Sequence, residues 1–309
     1  MDVPNERSSH SVATPRGGGV AIVASWLAVL PVLALVGVLA WSAFWALLGA
    51  GALVALIGFV DDHSHVPAFW RLVAHFAAAG WLLHGLHGLP PLTLLGGTIP
   101  NGWLLQLLGA LYVVWLLNLY NFMDGIDGIA SVETITVCVG GALLYLLLDV
   151  PVYGVPPLLL AAAVAGFLYW NFPPARIFLG DAGSGFLGVL LAGFSIQAAW
   201  VASELFWSWM ILLGVFIVDA TFTLLRRLSR GERVYEAHRS HAYQRASRRF
   251  GCHLPVTLAV GTINLFWLLP IAVCVAIGSL EGVQGVLLAY APLLALALML
   301  GAGRREPEP

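Results

Sequence analysis

Apolar residues fill this chain in long runs, and polar or helix-breaking residues interrupt them at roughly 20-residue intervals, the length that crosses a bilayer as a helix. Reading the runs and their breakers predicts helices over 20–38, 42–60, 68–88, 102–121, 129–148, 155–171, 183–202, 205–225, 255–278 and 283–302. The first two share one continuous apolar stretch, which we divide near Gly37. The expected fold is an all-α polytopic integral membrane protein with about ten transmembrane helices. Its single catalytic domain covers 1–309, with a polar loop over 1–19, an arm over 226–253 and a tail over 303–309.

Composition agrees, since 60% of the 309 residues are hydrophobic and only 10% charged, against about 25% charged in soluble domains. The polar opening lacks an apolar segment of signal-peptide type, so no signal peptide is expected. Cys138, Cys252 and Cys274 have neither disulfide-framework nor zinc-site spacing.

Charge matters here through its placement. Ten spans put both termini on one side. That side then receives every basic residue: Arg7, Arg16, Arg71, Arg176, the eight arginines between 226 and 249, Arg304 and Arg305. The chain has no lysine. The positive-inside rule makes that side cytoplasmic. Asp61 and Asp62 follow the second span on the same side, Asp124 and Asp127 follow the fourth, and Asp181 precedes the seventh. Asp219 sits just inside the cytoplasmic end of the eighth, where an intramembrane acid is costly and implies a role. The opposite side holds only Asp149, Glu204 and Glu281.

Several carboxylates at one membrane face, with few histidines and no cysteine among them, suit a hard divalent cation. Mg²⁺ is the expected ion and Mn²⁺ the alternative, since Mg²⁺ takes one or two carboxylates plus phosphate oxygens. Phosphoryl transfer uses that ion together with cationic groups. The glycine-rich helix starts at "DGIDGIA" and "GDAGSG" are expected to aim positive N-terminal ends at anions. The substrate is therefore expected to be a diphosphate, with a lipid co-substrate. Adjacent helical residues point about 100° apart, so Asp61 and Asp62 either split base and ligand roles or Asp62 only solvates its loop. Glu133 either snorkels to the interface or works inside the bundle. His75, His84 and His87 are read as packing or interface residues, and Arg226 and Arg227 as lipid-headgroup anchors.

"DVPNERSSHSVATPRGGGVAI", "GFVDDHSHVP", "NLYNFMDGIDGIA", "FPPARIFLGDAGSGFLG" and "AHRSHAYQR", in that order, resemble the signature loops of the polyprenyl-phosphate N-acetylhexosamine-1-phosphate transferases. The likeness spans nearly the whole chain. It implies Mg²⁺-dependent transfer of a sugar 1-phosphate from a UDP-N-acetylhexosamine to undecaprenyl phosphate at the bacterial inner membrane. UMP is released, and an O-antigen or other cell-envelope polysaccharide is initiated. By the same resemblance Asp61, Asp62, Asp124 and Asp181 are catalytic. Asn118, Asn121 and Asp127 bind the nucleotide sugar, and Asp181 with Asp124 holds the metal. The family's histidine run is reduced here to His238 and His241, and "DDHSH" places His65 where relatives carry an Asp or Lys. The sugar is expected to be a 6-deoxy form such as N-acetylfucosamine, or N-acetylglucosamine. Relatives usually carry one more helix ahead of the first loop.

The density of arginine in 226–253 predicts that Arg239 and His241 hold the donor's phosphates, and His238 is expected to bind substrate with them. Membrane lipids and a second copy of the chain are the other expected partners, and no nucleic acid is. A transporter with a carboxylate relay and a different membrane phosphotransferase are the competing readings. Transporter sites lie near the bilayer midplane, whereas these acids sit at one interface.

Overall fold

The computed structural model describes residues 13–64, 66–232 and 238–305; the expectations for Arg7, His65, Arg233 and most of the 1–19 loop lie outside them. Helices α1 (Gly19–Leu35), α2 (Trp41–His63) and α3 (Ala68–Gly85) come first. A short hairpin follows, β1 (Leu92–Leu94) and β2 (Gly97–Ile99), pairing Leu92 with Ile99. Then come α4 (Trp103–Met123), α5 (Ile129–Leu147), α6 (Val155–Asn171), α7 (Asp181–Val201), α8 (Ser203–Leu212) and α9 (Gly214–Leu228). The short α10 (Ala242–Phe250) precedes α11 (Leu254–Ile263), a π-helical stretch Asn264–Leu268, α12 (Leu269–Ala276) and α13 (Gly282–Met299).

The chain is an all-α multi-pass membrane protein. Each of the ten expected segments is helical, but the count of spans differs. Among the described residues, seven helical segments are long and apolar enough to cross, and α8–α9, bent by 70°, makes an eighth if taken as one span. α1 stops at 17 residues because Gly37 adopts a left-handed φ of 75° and turns the chain. α3 is long enough, but Arg71, His75 and His84 dilute its apolarity.

α7 is the central post, buried along nearly its whole length and packed by α1, α2, α4 and α8. Lipid tails are as apolar as leucine, so helices associate by close fit, and small residues at the contact allow it. Gly188 shows this: a Cβ there would lie 2.7 Å from Leu117 Cα, so glycine sets the α4–α7 distance. Trp26 of α1 meets Phe194 edge-on, with centroids 5.8 Å apart.

Candidate active site

The site forms at the α2 C-terminus and the α7 N-terminus. Gly58 lets the two helices touch, because a Cβ there would sit 2.5 Å from the Asp181 carbonyl oxygen. Gly180, with φ of 79°, then turns the chain into α7. Asp62 accepts hydrogen bonds from the backbone N–H groups of Asp181 (3.0 Å) and Ala182 (3.3 Å). It therefore satisfies two of the donors that every helix start leaves open. This corrects the expectation for "GDAGSG": these N–H groups are taken by an internal carboxylate rather than offered to a substrate anion.

Arg16 lies across the two acids, with Nε 3.0 Å from Asp62 Oδ1 and Nη2 2.6 Å from Asp181 Oδ1. The backbone fixes it there: Phe178 N–H donates to Pro15 O (2.8 Å), and Gly17 and Gly18 donate to Phe178 O (3.1 and 2.9 Å). Arg71, in the first turn of α3, contacts Asp61 Oδ2 at 2.5 Å and comes within 3.8 Å of Asp181 Oδ2. Asp61 also accepts from Val66 N–H at 2.8 Å.

These groups border a cleft of about 180 Å³ between α2, α3, α4 and α7. It is lined by the polar Asp61, Arg71, His75, Asn118, Asn121 and Asp181 and by the apolar Val54, Ile57, Leu72 and Leu117. Asn118 Nδ2 donates to Val114 O (2.6 Å) and lies 3.3 Å from His75 Nδ1, while Asn121 donates to Ser184 Oγ (3.3 Å). Asn118, Asn121, Asp61 and Asp181 thus meet in one cleft. Arg71 and His75 join them, although sequence reading left Arg71 as one charge among many and His75 as packing.

The loop after α4 faces both ways. Desolvation in this crowded loop pushes the Asp124 carboxyl well above the usual carboxylate range; nearby Arg16 opposes the shift, and Asp181, Asp62 and Asp127 add to it. Asp127 is engaged elsewhere. Its Oδ2 accepts from Ala175 N–H (3.0 Å) and lies 3.2 Å from His253 Nδ1. Thr257 Oγ1 donates to the Asp127 carbonyl at 2.7 Å, tying the loop to α11.

The arm is organised by Asp219, which accepts from the N–H groups of Ala242 (2.8 Å) and Tyr243 (3.0 Å) and from Thr223 Oγ1 (3.1 Å). Its role is to cap α10. Tyr243 then reaches the Phe122 carbonyl with its hydroxyl, at 2.9 Å. His241 is 1% exposed, 3.4 Å from Asp219 Oδ1, and stacked between Phe122 and Tyr243. The His238 ring lies tilted against His241, centroids 4.8 Å apart, and Arg239 is half-buried beside it. None of the three borders the cleft. Arg227 is also not a headgroup anchor: it is 7% exposed and pairs with Glu232 at 2.8 Å.

Among the described residues no three acidic, histidine or cysteine side chains converge as a ready metal cage. Asp181 borders the cleft, and Asp124, which does not, is near enough to it for the two carboxyls to repel. Neighbouring carboxylates disfavour the ionised form of Asp124, and added positive charge relieves that repulsion. A Mg²⁺ held there would take the rest of its shell from water and substrate oxygens.

Bundle and cleft together define a polytopic membrane protein with a charged site where its helices end, continuous with an apolar wall. The chain belongs to glycosyl transferase family 4, whose model matches residues 44–199. It is 30% identical over 260 residues to a probable undecaprenyl-phosphate N-acetylglucosaminyl 1-phosphate transferase of Bacillus subtilis, covering 79% of this chain and 69% of that protein. A decaprenyl-phosphate N-acetylglucosaminephosphotransferase of Mycobacterium leprae is 29% identical (83% and 72% covered), and a phospho-N-acetylmuramoyl-pentapeptide-transferase of Kocuria rhizophila 29% (74% and 74%).

Proposed function

We propose that the chain transfers an N-acetylhexosamine 1-phosphate from a UDP-sugar to undecaprenyl phosphate, releasing UMP, at the cytoplasmic face of a bacterial inner membrane. The observation that carries this reading is the cleft itself. Polar and charged groups (Arg71, Asn118, Asn121 and the acids) share it with the apolar Val54, Ile57, Leu72 and Leu117, a combination that suits a lipid with a phosphate head. The names of the relatives support the substrate classes, and the placement of the arginines supports the sidedness.

In this reading Arg71 holds the acceptor phosphate and Asp61 orients Arg71. An oxygen of the lipid phosphate attacks the β-phosphorus of the UDP-sugar. A new P–O bond forms, and the bond from that phosphorus to the bridging oxygen breaks, so the electron pair leaves with UMP. A phosphate monoester has its second pKa near about 6, so most acceptor is already dianionic at neutral pH, and Asp61 takes the proton of the remainder. Asp181 and Asp124 would hold Mg²⁺, which would neutralise charge on the diphosphate. Asn118 and Asn121 orient the donor, and Arg16 keeps Asp181 in place.

Purified protein in detergent, given undecaprenyl phosphate and a panel of radiolabelled UDP-N-acetylhexosamines with Mg²⁺ or Mn²⁺, tests the reading. Label is expected in a lipid-soluble product with equimolar UMP, and chelation of the metal abolishes it. The reading is wrong if no UDP-sugar labels the lipid, and UDP-sugar uptake into proteoliposomes without chemistry would favour a transporter.

A further inference from the structure

Glu133 is an acid that neither the proposed reaction nor a helix cap uses. It lies just over a turn into α5, wholly buried, and so does not snorkel. Its carboxyl meets Asn264, the first residue of the π-helical stretch between α11 and α12 and itself 2% exposed. Such one-turn insertions swing a side chain out of helical register and recur where a helix does more than span.

The hydrogens around this pair can be followed one by one. The Asn264 amide gives its two to Glu133 Oε2 and to Thr136 Oγ1, both at 2.7 Å. The Thr136 hydroxyl sends its own to the carbonyls of Val132 (2.8 Å) and Glu133 (3.0 Å). Two buried atoms are left without a partner, Glu133 Oε1 and Asn264 Oδ1. If Glu133 is ionised, both are acceptors and nothing can join them. The carboxylate would then rest on the Asn264 amide and the Phe216 N–H, both neutral, in an apolar bundle, which is a costly way to bury a charge. Around it stand the phenols of Tyr120 on α4 and Tyr290 on α13, with the Phe216 N–H facing it from the start of α9. Among the described residues it makes no ion pair with an Arg or His. One hydrogen on Oε1 turns an acceptor into a donor and satisfies both orphaned atoms at once.

We propose that Glu133 is a neutral, protonated side chain joined head to head with Asn264 through two hydrogen bonds, Nδ2–H to Oε2 and Oε1–H to Oδ1, and that this pair is a positioning element for the site. The joined helices explain the second half. α5 emerges directly from the loop that carries Asp124 and Asp127. α11 starts at His253, which faces Asp127, and its Thr257 holds the Asp127 carbonyl. A clasp between α5 and the π-helical stretch fixes the angle at which both present those groups. The catalytic part of this inference rests on the proposed transfer reaction; the protonation state does not.

The test uses the full-length protein in detergent. Glu133→Gln replaces the acid by a neutral side chain that can donate to Asn264 Oδ1 and accept from Nδ2, whereas Glu133→Ala removes both bonds. In the infrared difference between wild type and Glu133→Gln at pH 7, the carbonyl stretch of a protonated acid is expected. A carboxylate band in its place overturns the protonation. Amide exchange over residues 124–128 is expected to rise about tenfold in Glu133→Ala and to stay within about twofold in Glu133→Gln. Transfer should follow, with kcat lowered in Glu133→Ala and restored in Glu133→Gln, and with little change in KM for the lipid. Wild-type exchange in Glu133→Ala, or equal damage from both variants, overturns the positioning role. If the alanine variant does not fold, Asn264→Ala provides the same exchange comparison. If wild type transfers no sugar, the reaction is refuted, while the infrared and exchange results still decide this proposal.

Discussion

Asp219 offers the sharpest test of how the arm is held. Replacing it with alanine removes the acceptor for the N–H groups of Ala242 and Tyr243, at 2.8 and 3.0 Å, and for Thr223 Oγ1 at 3.1 Å. Ala242 and Tyr243 are buried, so their N–H groups lose their partner where water does not readily replace it. A helix cap alone is worth about 1 kcal/mol, and hydrogen bonds to a charged acceptor about 1.5–3 kcal/mol each. Because such contributions overlap, we expect a total of about 2–4 kcal/mol for opening α10. That corresponds to roughly 30- to 1,000-fold faster amide exchange, at about 1.4 kcal/mol per factor of ten. Exchange at Ala242 through Ala246, followed by mass spectrometry in detergent, is the assay, with the α7 core amides as an internal reference. The Tyr243 hydroxyl should also lose its contact with Phe122 O. Asp219→Asn keeps one acceptor and should fall between wild type and alanine. Unchanged exchange over α10 in Asp219→Ala would show that the cap does not hold the arm.

Arg16→Ala should lower kcat by at least about tenfold, since Asp62 and Asp181 then face each other without the guanidinium; steady-state transfer with saturating substrates measures it. Asp181→Asn should lose activity by about two orders of magnitude or more while the protein still purifies as a monodisperse species. Asp124→Asn should abolish transfer yet raise the melting temperature of the metal-free protein. The sign follows from the raised folded-state value. Ionised Asp124 is disfavoured in the folded protein, so wild type loses stability as pH rises from the unfolded carboxylate range toward that value. The gap between mutant and wild type should therefore widen from acidic to neutral pH, as thermal melts at several pH values will show. Single cysteines at Leu95 and Ser229 in a cysteine-free background should label from opposite sides of the membrane; labelling from one side would refute the assignment of spans between them.

The helices were legible because the apolar runs are long and their breakers strong, and Gly37 indeed divides α1 from α2. The number of crossings was less so. Neither the 70° bend between Leu212 and Gly214 nor the thinning of α3 by Arg71, His75 and His84 changes the local hydrophobic pattern much. Motif reading found the acids that line the cleft, Asp61 and Asp181, together with Asn118 and Asn121. It did not separate them from Asp62 and Asp219, whose carboxylates cap α7 and α10. An aspartate at a helix start is the same residue type whether it faces inward to N–H groups or outward to a ligand, and only tertiary contact decides. Arg16 was visible in "PRGGG", but its partners lie 46 and 165 residues along the chain, beyond any local pattern. His241 was read as a substrate contact from its motif, while its burial against Phe122 and Tyr243 follows from the Asp219 cap.

The segment around Arg16 is bonded to Phe178 and Leu179 on the far side of six intervening helices. A ribosome delivers these two strips of backbone at different times. At about 5–20 residues per second, the first waits on the order of ten seconds for the second. Until α7 enters the membrane, Arg16 lacks Asp181 and the backbone that fixes it in place, and Asp62 has no helix start to cap. The centre therefore cannot exist on a partly made chain: an arrested product ending before α7 is inserted but chemically inert, and the charged strip near its beginning stays available to whatever attends the nascent protein at the membrane.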